Sequence, residues 1–152
     1  NIEAPKNSIM AIKALREKFG ALAISTIYES ESVGFHGSNF LNFVASVETQ
    51  SALQDISDYL KNLENCLGRK RTNSRFSDRT IDIDILLFGD STGQECGLDL
   101  PRGEILCNAF VLRPLAELHP DLEHSKLGVS YKNLWRAFDK NDQKLQPTNL
   151  RF

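Results

Sequence analysis

Cysteine is scarce in this chain: Cys66, Cys96 and Cys107 are odd in number and lack C-x-x-C spacing, so neither a disulfide framework nor a zinc ribbon can be read from them. A reducing cytoplasm is the compartment that thiol usage suggests. Long apolar runs are missing too, as is a signal-peptide pattern, which leaves no membrane-spanning segment to expect. The formal net charge is only −2, which argues against a general polyanion binder and means that any basic site must be local. Neither GxxxxGK[ST] nor GxGxxG occurs, so a bound nucleotide has to be held by other means. No Ser/His/Asp or Cys/His signature is present. His36, His119 and His124 are scattered and read as surface or loop residues. What is present is ordinary for a globular chain: 152 residues, 41% apolar and 25% charged, the size of one domain over 1–152, without internal repeats.

The segment "APKNSIMAIKALREKFG" places Pro5 at a first helical position, puts Ile9, Ile12, Leu15 and Phe19 at helical spacing, and ends on Gly20. It predicts a helix. "ALAISTIYES" (21–30) is rich in β-branched and aromatic residues and predicts a strand, followed by a glycine-containing loop. "FLNFVASVET" (40–49) predicts a second strand, antiparallel to the first. "SALQDISDYLKNLENCLG" predicts a second helix: Ser51 and Gln54 have capping-box spacing, Leu53, Ile56, Leu60, Leu63 and Leu67 form a stripe, and Gly68 stops it. Cys66 within it reads as core or half-buried. Further on, helix is expected around 109–118 and in "SYKNLWRAF", where Trp135 and Phe138 read as packing residues. The order α-β-β-α-β lacks one strand of the β-α-β-β-α-β unit. The expectation is an α+β sandwich with a ferredoxin-like core whose first strand is absent from this chain, plus C-terminal extensions. Asn1 would sit at the strand-to-helix turn.

The informative stretch is "RTIDIDILLFGD", Arg79 to Asp90. It reads as a buried strand, yet it carries Asp82 and Asp84. Side chains alternate along a strand, so both carboxylates share one face with Cα atoms roughly 6.5–7 Å apart. Like charges so close repel unless a cation sits between them. Just upstream, "RKRTNSRFSDR" holds five cations in eleven residues: Arg69, Lys70, Arg71, Arg75 and Arg79. Two readings stand side by side. The aspartates are turn-proximal and neutralised by Arg79 and a neighbour, or the carboxylates hold Mg²⁺ while guanidinium forks face phosphate, the combination phosphoryl transfer needs. Phe35, Phe40, Asn42 and Phe110 lie in or beside loops where a flat heterocycle could be sandwiched and hydrogen-bonded, although such residues are more often core.

"NCLGRKRTNSRFSDRTIDIDILLFGD" resembles the signature of the 6-hydroxymethyl-7,8-dihydropterin pyrophosphokinase family. "FLNFVASVET" is similar to that family's Y-L-N strand, and "LP…FVLRPLAELHPDL" to its distal block, so the likeness spans 1 to about 122. The resemblance implies Mg²⁺-dependent transfer of pyrophosphate from ATP to 6-hydroxymethyl-7,8-dihydropterin with release of AMP. It implies two Mg²⁺ ions on Asp82 and Asp84, and catalytic roles for Arg69, Arg71 and Arg79 beside them. ATP would be bound by Lys61, Glu64, Arg71, Arg75, Phe76, Arg79, Ile85 and Arg102. Ser30, Val33, Phe40, Asn42 and Phe110 would line the pterin pocket. A cytoplasmic monomer working on small molecules, without nucleic acid or membrane, is expected. The chain departs from the family in the loop "ESESVGFHG", which lacks a proline common there, and at three positions: Phe76 stands where tryptophan is frequent, Arg102 where histidine is common, and Asn108 where arginine is common. Arg102 and Asn108 motivate a second reading, a weakened relative that binds ATP or a pterin. A ferredoxin-like RNA-binding module is a third, disfavoured by the net charge and by the lack of an aromatic RNP pattern.

Overall fold

The computed structural model describes residues 4–31, 39–68, 81–141 and 143–152. Helix α1 runs over Ala4–Phe19 and buries Ser8, Ala11, Ile12 and Leu15. Gly20, at φ +85°, closes it by donating its amide to the Arg16 carbonyl at 2.9 Å. Ile9 does not belong to the buried face and is 52% exposed. At 3.6 residues per turn it lies about 100° from Ser8, outside the stripe through Ile12 and Leu15.

The strand expected over 21–30 is broken into β1 (Leu22–Ile24) and β2 (Tyr28–Ser30). Its partner is broken likewise into β3 (Phe40–Asn42) and β4 (Ala45–Val47). Both pairings are antiparallel, as expected, with Ile24 opposite Ala45 and Tyr28 opposite Asn42. Ser25, Thr26 and Ile27 therefore oppose only Phe43 and Val44, which is a bulge of one residue. Side chains take over the hydrogen bonds lost there. The Val44 amide donates to the Ser25 hydroxyl at 3.0 Å, and the Thr26 amide donates to the Glu117 carboxylate.

Helix α2 spans Leu53–Cys66. Its N-cap is Ala52 rather than Ser51, with no side-chain cap bond. Starting one residue late moves Gln54 from the third helical position to the second, so the capping box does not form, and the Gln54 amide donates instead to Asp58 at 2.9 Å. Cys66, expected in or near the core, is exposed.

Residues 81–88 form no ladder with any described residue, so the strand expected there is not observed. The period-two pattern survives: Ile81, Ile83 and Ile85 are half-buried while Asp82 and Asp84 are exposed. This segment is held by packing. Ile83, Ile85 and Phe88 join a cluster built on Leu15, Ile56 and Leu60 from α1 and α2. Leu86 and Leu87 join a second cluster, built on Ile105, Leu112, Leu115, Ala116 and Tyr131.

A hairpin not foreseen from the sequence follows, β5 (Gly93–Glu95) with β6 (Leu98–Leu100). Next come α3 (Glu104–Cys107), a single turn not expected from the sequence, and then α4 (Ala109–Leu118) and α5 (Tyr131–Ala137), which match the helices expected near 109–118 and 130–138. Trp135 and Phe138 stack with centroids 5.7 Å apart against the second cluster, as packing residues. A last strand, β7 (Leu145–Pro147), also unforeseen, pairs with β2, giving the three-stranded order β3-β2-β7. The architecture is α+β, with small antiparallel sheets flanked by helices. No helix among the described residues is long and apolar enough to cross a membrane.

Candidate active site

Hydrophobic burial on one side of residues 81–88 turns Asp82 and Asp84 outward together. Between them, the Ile83 amide donates to Glu64 Oε1 of α2 at 2.7 Å. Glu64 is 7% exposed, so a buried carboxylate fixes the peptide that separates the two aspartates. Lys61, one turn earlier on α2, is exposed, and Ile85 is half-buried in the first cluster.

Arg102 approaches the same aspartates from the segment between β6 and α3. Its amide donates to the Leu86 carbonyl at 3.0 Å, which ties its backbone to the segment carrying the aspartates. Its guanidinium divides between two carboxylates: Nε lies 2.9 Å from Glu104 Oε2, and Nη2 lies 3.7 Å from Asp84 Oδ1. The first distance is a charge-assisted hydrogen bond and the second a loose ion pair. Glu104 was not singled out by the sequence reading; its signal is the i, i+2 spacing from Arg102 across Gly103.

The two exposed carboxylates suit Mg²⁺, which takes one or two carboxylates and completes its octahedron with water and phosphate oxygens. No group of three or more His, Cys, Asp or Glu fit for a metal occurs among the described residues. Hard carboxylate oxygens of this kind suit Mg²⁺ better than zinc, which favours nitrogen and sulfur ligands.

Of the residues assigned to a pterin pocket, Ser30, Phe40 and Asn42 come together on β2 and β3. Ser30 and Phe40 are ladder partners. The Asn42 amide nitrogen donates to the Ser30 hydroxyl at 2.8 Å and more weakly to the Phe40 carbonyl at 3.4 Å. All three side chains are half-buried. Phe110 is half-buried near the start of α4, the helix that packs on β2. Asn108, where the family's arginine is common, is the N-cap of α4 and makes no side-chain cap bond. Arg69, Arg71, Arg75, Phe76, Arg79 and Val33 lie outside the described residues, as do Asn1, Phe35 and His36.

Behind this pocket Glu117 accepts from the Tyr28 hydroxyl at 2.7 Å and from the Thr26 amide. Partial burial raises the Glu117 pKa, but those two bonds and the Arg113 guanidinium outweigh it and hold the carboxyl below its usual value. Tyr28 responds the other way, raised by burial first and by Glu117 second. Arg113 lies over the Tyr28 ring at 4.7 Å and over Trp135 at 5.8 Å, which joins α4 to β2 and α5. The two most marked grooves among the described residues, one at Ile12, Arg16 and Phe152 and one at Leu106, Leu134 and Phe138, contain none of the site residues named above.

Comparison with known proteins gives the same direction. A profile described as 7,8-dihydro-6-hydroxymethylpterin-pyrophosphokinase matches residues 1–120. A 2-amino-4-hydroxy-6-hydroxymethyldihydropteridine pyrophosphokinase of Pseudomonas aeruginosa is 36% identical over 126 residues, covering 80% of this chain and 77% of the relative. One from Aquifex aeolicus is 36% identical over 117 residues, covering 76% and 72%. One from Haemophilus influenzae is 32% identical over 126 residues, covering 80% and 78%. The chain belongs to the 7,8-dihydro-6-hydroxymethylpterin-pyrophosphokinase family.

Proposed function

We propose that this chain transfers a pyrophosphoryl group from ATP to 6-hydroxymethyl-7,8-dihydropterin. The pterin hydroxymethyl oxygen attacks the β-phosphorus, the bond from the β-phosphorus to the α,β-bridging oxygen breaks, and AMP leaves. The reading takes the chain as one cytoplasmic, monomeric domain with a ferredoxin-like core, acting on small molecules and not on nucleic acid. The observation that carries it is the outward pair Asp82 and Asp84 with a guanidinium 3.7 Å from one of them.

Each residue has a task in this scheme. Glu64, through the Ile83 amide, holds the aspartate segment in place, so both carboxylates would be preset for the metal ions without reorganisation. Asp82 and Asp84 would hold the two Mg²⁺ ions expected. The metal, when bound, supplies charge neutralisation at the phosphate oxygens. Arg102, with Arg69, Arg71, Arg75 and Arg79, would balance the remaining phosphate charge, and Lys61, Phe76 and Ile85 would line the nucleotide. In the other pocket the Asn42 amide is oriented by donation to Ser30, which leaves its Oδ1 as the acceptor for a donor edge of the pterin. Phe40 and Phe110 would flank the ring, with Val33 beside it.

The test is AMP release from ATP that requires both hydroxymethyl-dihydropterin and Mg²⁺. Asp82→Ala and Asp84→Ala are each expected to lower kcat by roughly 10²–10³, as for loss of one charge-stabilising group. Full activity in either variant would overturn the metal assignment. Asn108, uncharged where the family commonly has arginine, favours a second reading as a weakened relative. Calorimetric binding of an ATP analogue or a pterin without AMP release would support that one instead.

A further inference from the structure

We propose that Arg102 is a phosphate-binding cation held in reserve: in the ligand-free site its fork is shared between Asp84 and Glu104, and on nucleotide binding the Asp84-facing arm passes to a phosphate oxygen while Glu104 keeps the other. The inference rests on the assignment of Asp84 as a metal ligand made above, and it deepens that assignment. Three features carry it. The two contacts are unequal, 2.9 Å from Nε to Glu104 against 3.7 Å from Nη2 to Asp84, so one nitrogen of the guanidinium is anchored and another is exchangeable. The pair is accessible, with Arg102 30% and Asp84 52% exposed, so water and ligand reach it and the ion pair is weak. The Arg102 amide is bonded to the Leu86 carbonyl, two residues beyond Asp84, so the two backbones stay in register while the side chains exchange partners.

A divalent cation held by Asp84 would compete with Nη2 for that carboxylate. Release of that arm presents an N–H donor next to the phosphates that the metal brings. A lysine cannot substitute, because its single ammonium lacks the second donor nitrogen needed to stay on Glu104 while reaching elsewhere. Glu104 is a positioning residue in this arrangement. It sets the direction of the guanidinium without contacting substrate.

The experiment titrates Mn²⁺ by water-proton relaxation without nucleotide, and a non-hydrolysable ATP analogue with Mg²⁺ by calorimetry, on the wild type and on R102Q, R102K and E104Q. R102Q and R102K are both expected to bind Mn²⁺ about two- to fivefold more tightly than wild type, the size of one exposed ion pair. Both are expected to bind the analogue roughly tenfold or more weakly, the size of one charged hydrogen bond. E104Q is expected to weaken analogue binding and raise KM for ATP more than it lowers kcat, without tightening Mn²⁺, and E104D to restore much of the loss. An R102K protein indistinguishable from wild type in both titrations would overturn the proposal, because a point charge would then suffice. Unchanged Mn²⁺ affinity in R102Q would overturn it as well. D84A separates the two levels of the argument. If D84A loses Mn²⁺ and the Arg102 series is flat, only the reserve role fails, whereas D84A binding Mn²⁺ as wild type does would sink the metal assignment and the proposal together.

Discussion

His124 is 3% exposed, and its Nδ1 accepts from the Lys126 and Leu127 amides at 3.2 and 3.3 Å. An accepting nitrogen carries no proton, so the ring is neutral with its hydrogen on Nε2, a tautomer assigned from that network. Burial first, and the Lys126 ammonium second, push its pKa below the usual 6.5. The unfolded chain therefore takes up this proton at higher pH than the native one. The stability it represents is complete above about pH 6.5 and drains away as pH falls through the native pKa. His124→Asn offers an oxygen in place of Nδ1 and does not titrate. It is expected to flatten the fall in Tm between about pH 7 and pH 5, and an unchanged slope would sink the argument. Any loss that remains below the ordinary 4.5 of a glutamate includes Glu117, whose depressed pKa makes its contribution vanish only in acid. The sequence suggested a surface histidine here. Nothing in "DLEHSKLG" reveals that a tight turn folds its own amides onto the ring. Glu64 teaches the same lesson at the site: its place near the nucleotide followed from the resemblance, but its bond to Ile83, across 19 positions, is visible only in the fold.

At the scale of elements, what was legible depended on how local the cause was. Helices α1 and α2 follow from their own periodicity and terminal glycines, because apolar spacing and caps are local properties. The bulge at Ser25–Ile27 was not legible, since the carboxylate that draws the Thr26 amide off the ladder lies 91 positions away. The β5–β6 hairpin was missed for a chemical reason. Its two-residue turn is Cys96–Gly97, with φ of +50° and +76°, the conformation that usually advertises itself as Asn-Gly. Cys96 is the one non-glycine residue with positive φ among the described residues, and it is exposed. A cysteine there bears the left-handed strain without a side-chain bond to relieve it, whereas asparagine tolerates that region better. Cys96→Asn is expected to raise stability by about 0.5–1 kcal/mol. The check is a higher urea midpoint at unchanged m-value. A lower midpoint would mean that the thiol makes a contact worth more than the strain.

For the molecule as a whole, residues 81–88 decide whether there is one core or two. The aspartate pair was legible because period-two patterning is local, but the ladder expected around it was not found among the described residues, and the segment is held instead by packing into both clusters. Ile83, Ile85 and Phe88 anchor in the cluster of α1 and α2, while Leu86 and Leu87 anchor in that of α4 and α5. A wedge shared in this way couples the clusters, because withdrawing it leaves cavities on both sides. The chain should therefore unfold as one cooperative unit, as the single-domain reading requires. Trp135, the only tryptophan, reports the second cluster, and far-UV circular dichroism is dominated by α1 and α2, the longest helices, which frame the first. The two probes are expected to give coincident urea transitions. Leu87→Ala, although made in the second cluster, is expected to cost roughly 2 kcal/mol and to move both curves by the same amount. If the fluorescence transition moved alone, the clusters would be separate folding units, and the aspartates would sit on a hinge between them instead of on a segment braced from both sides.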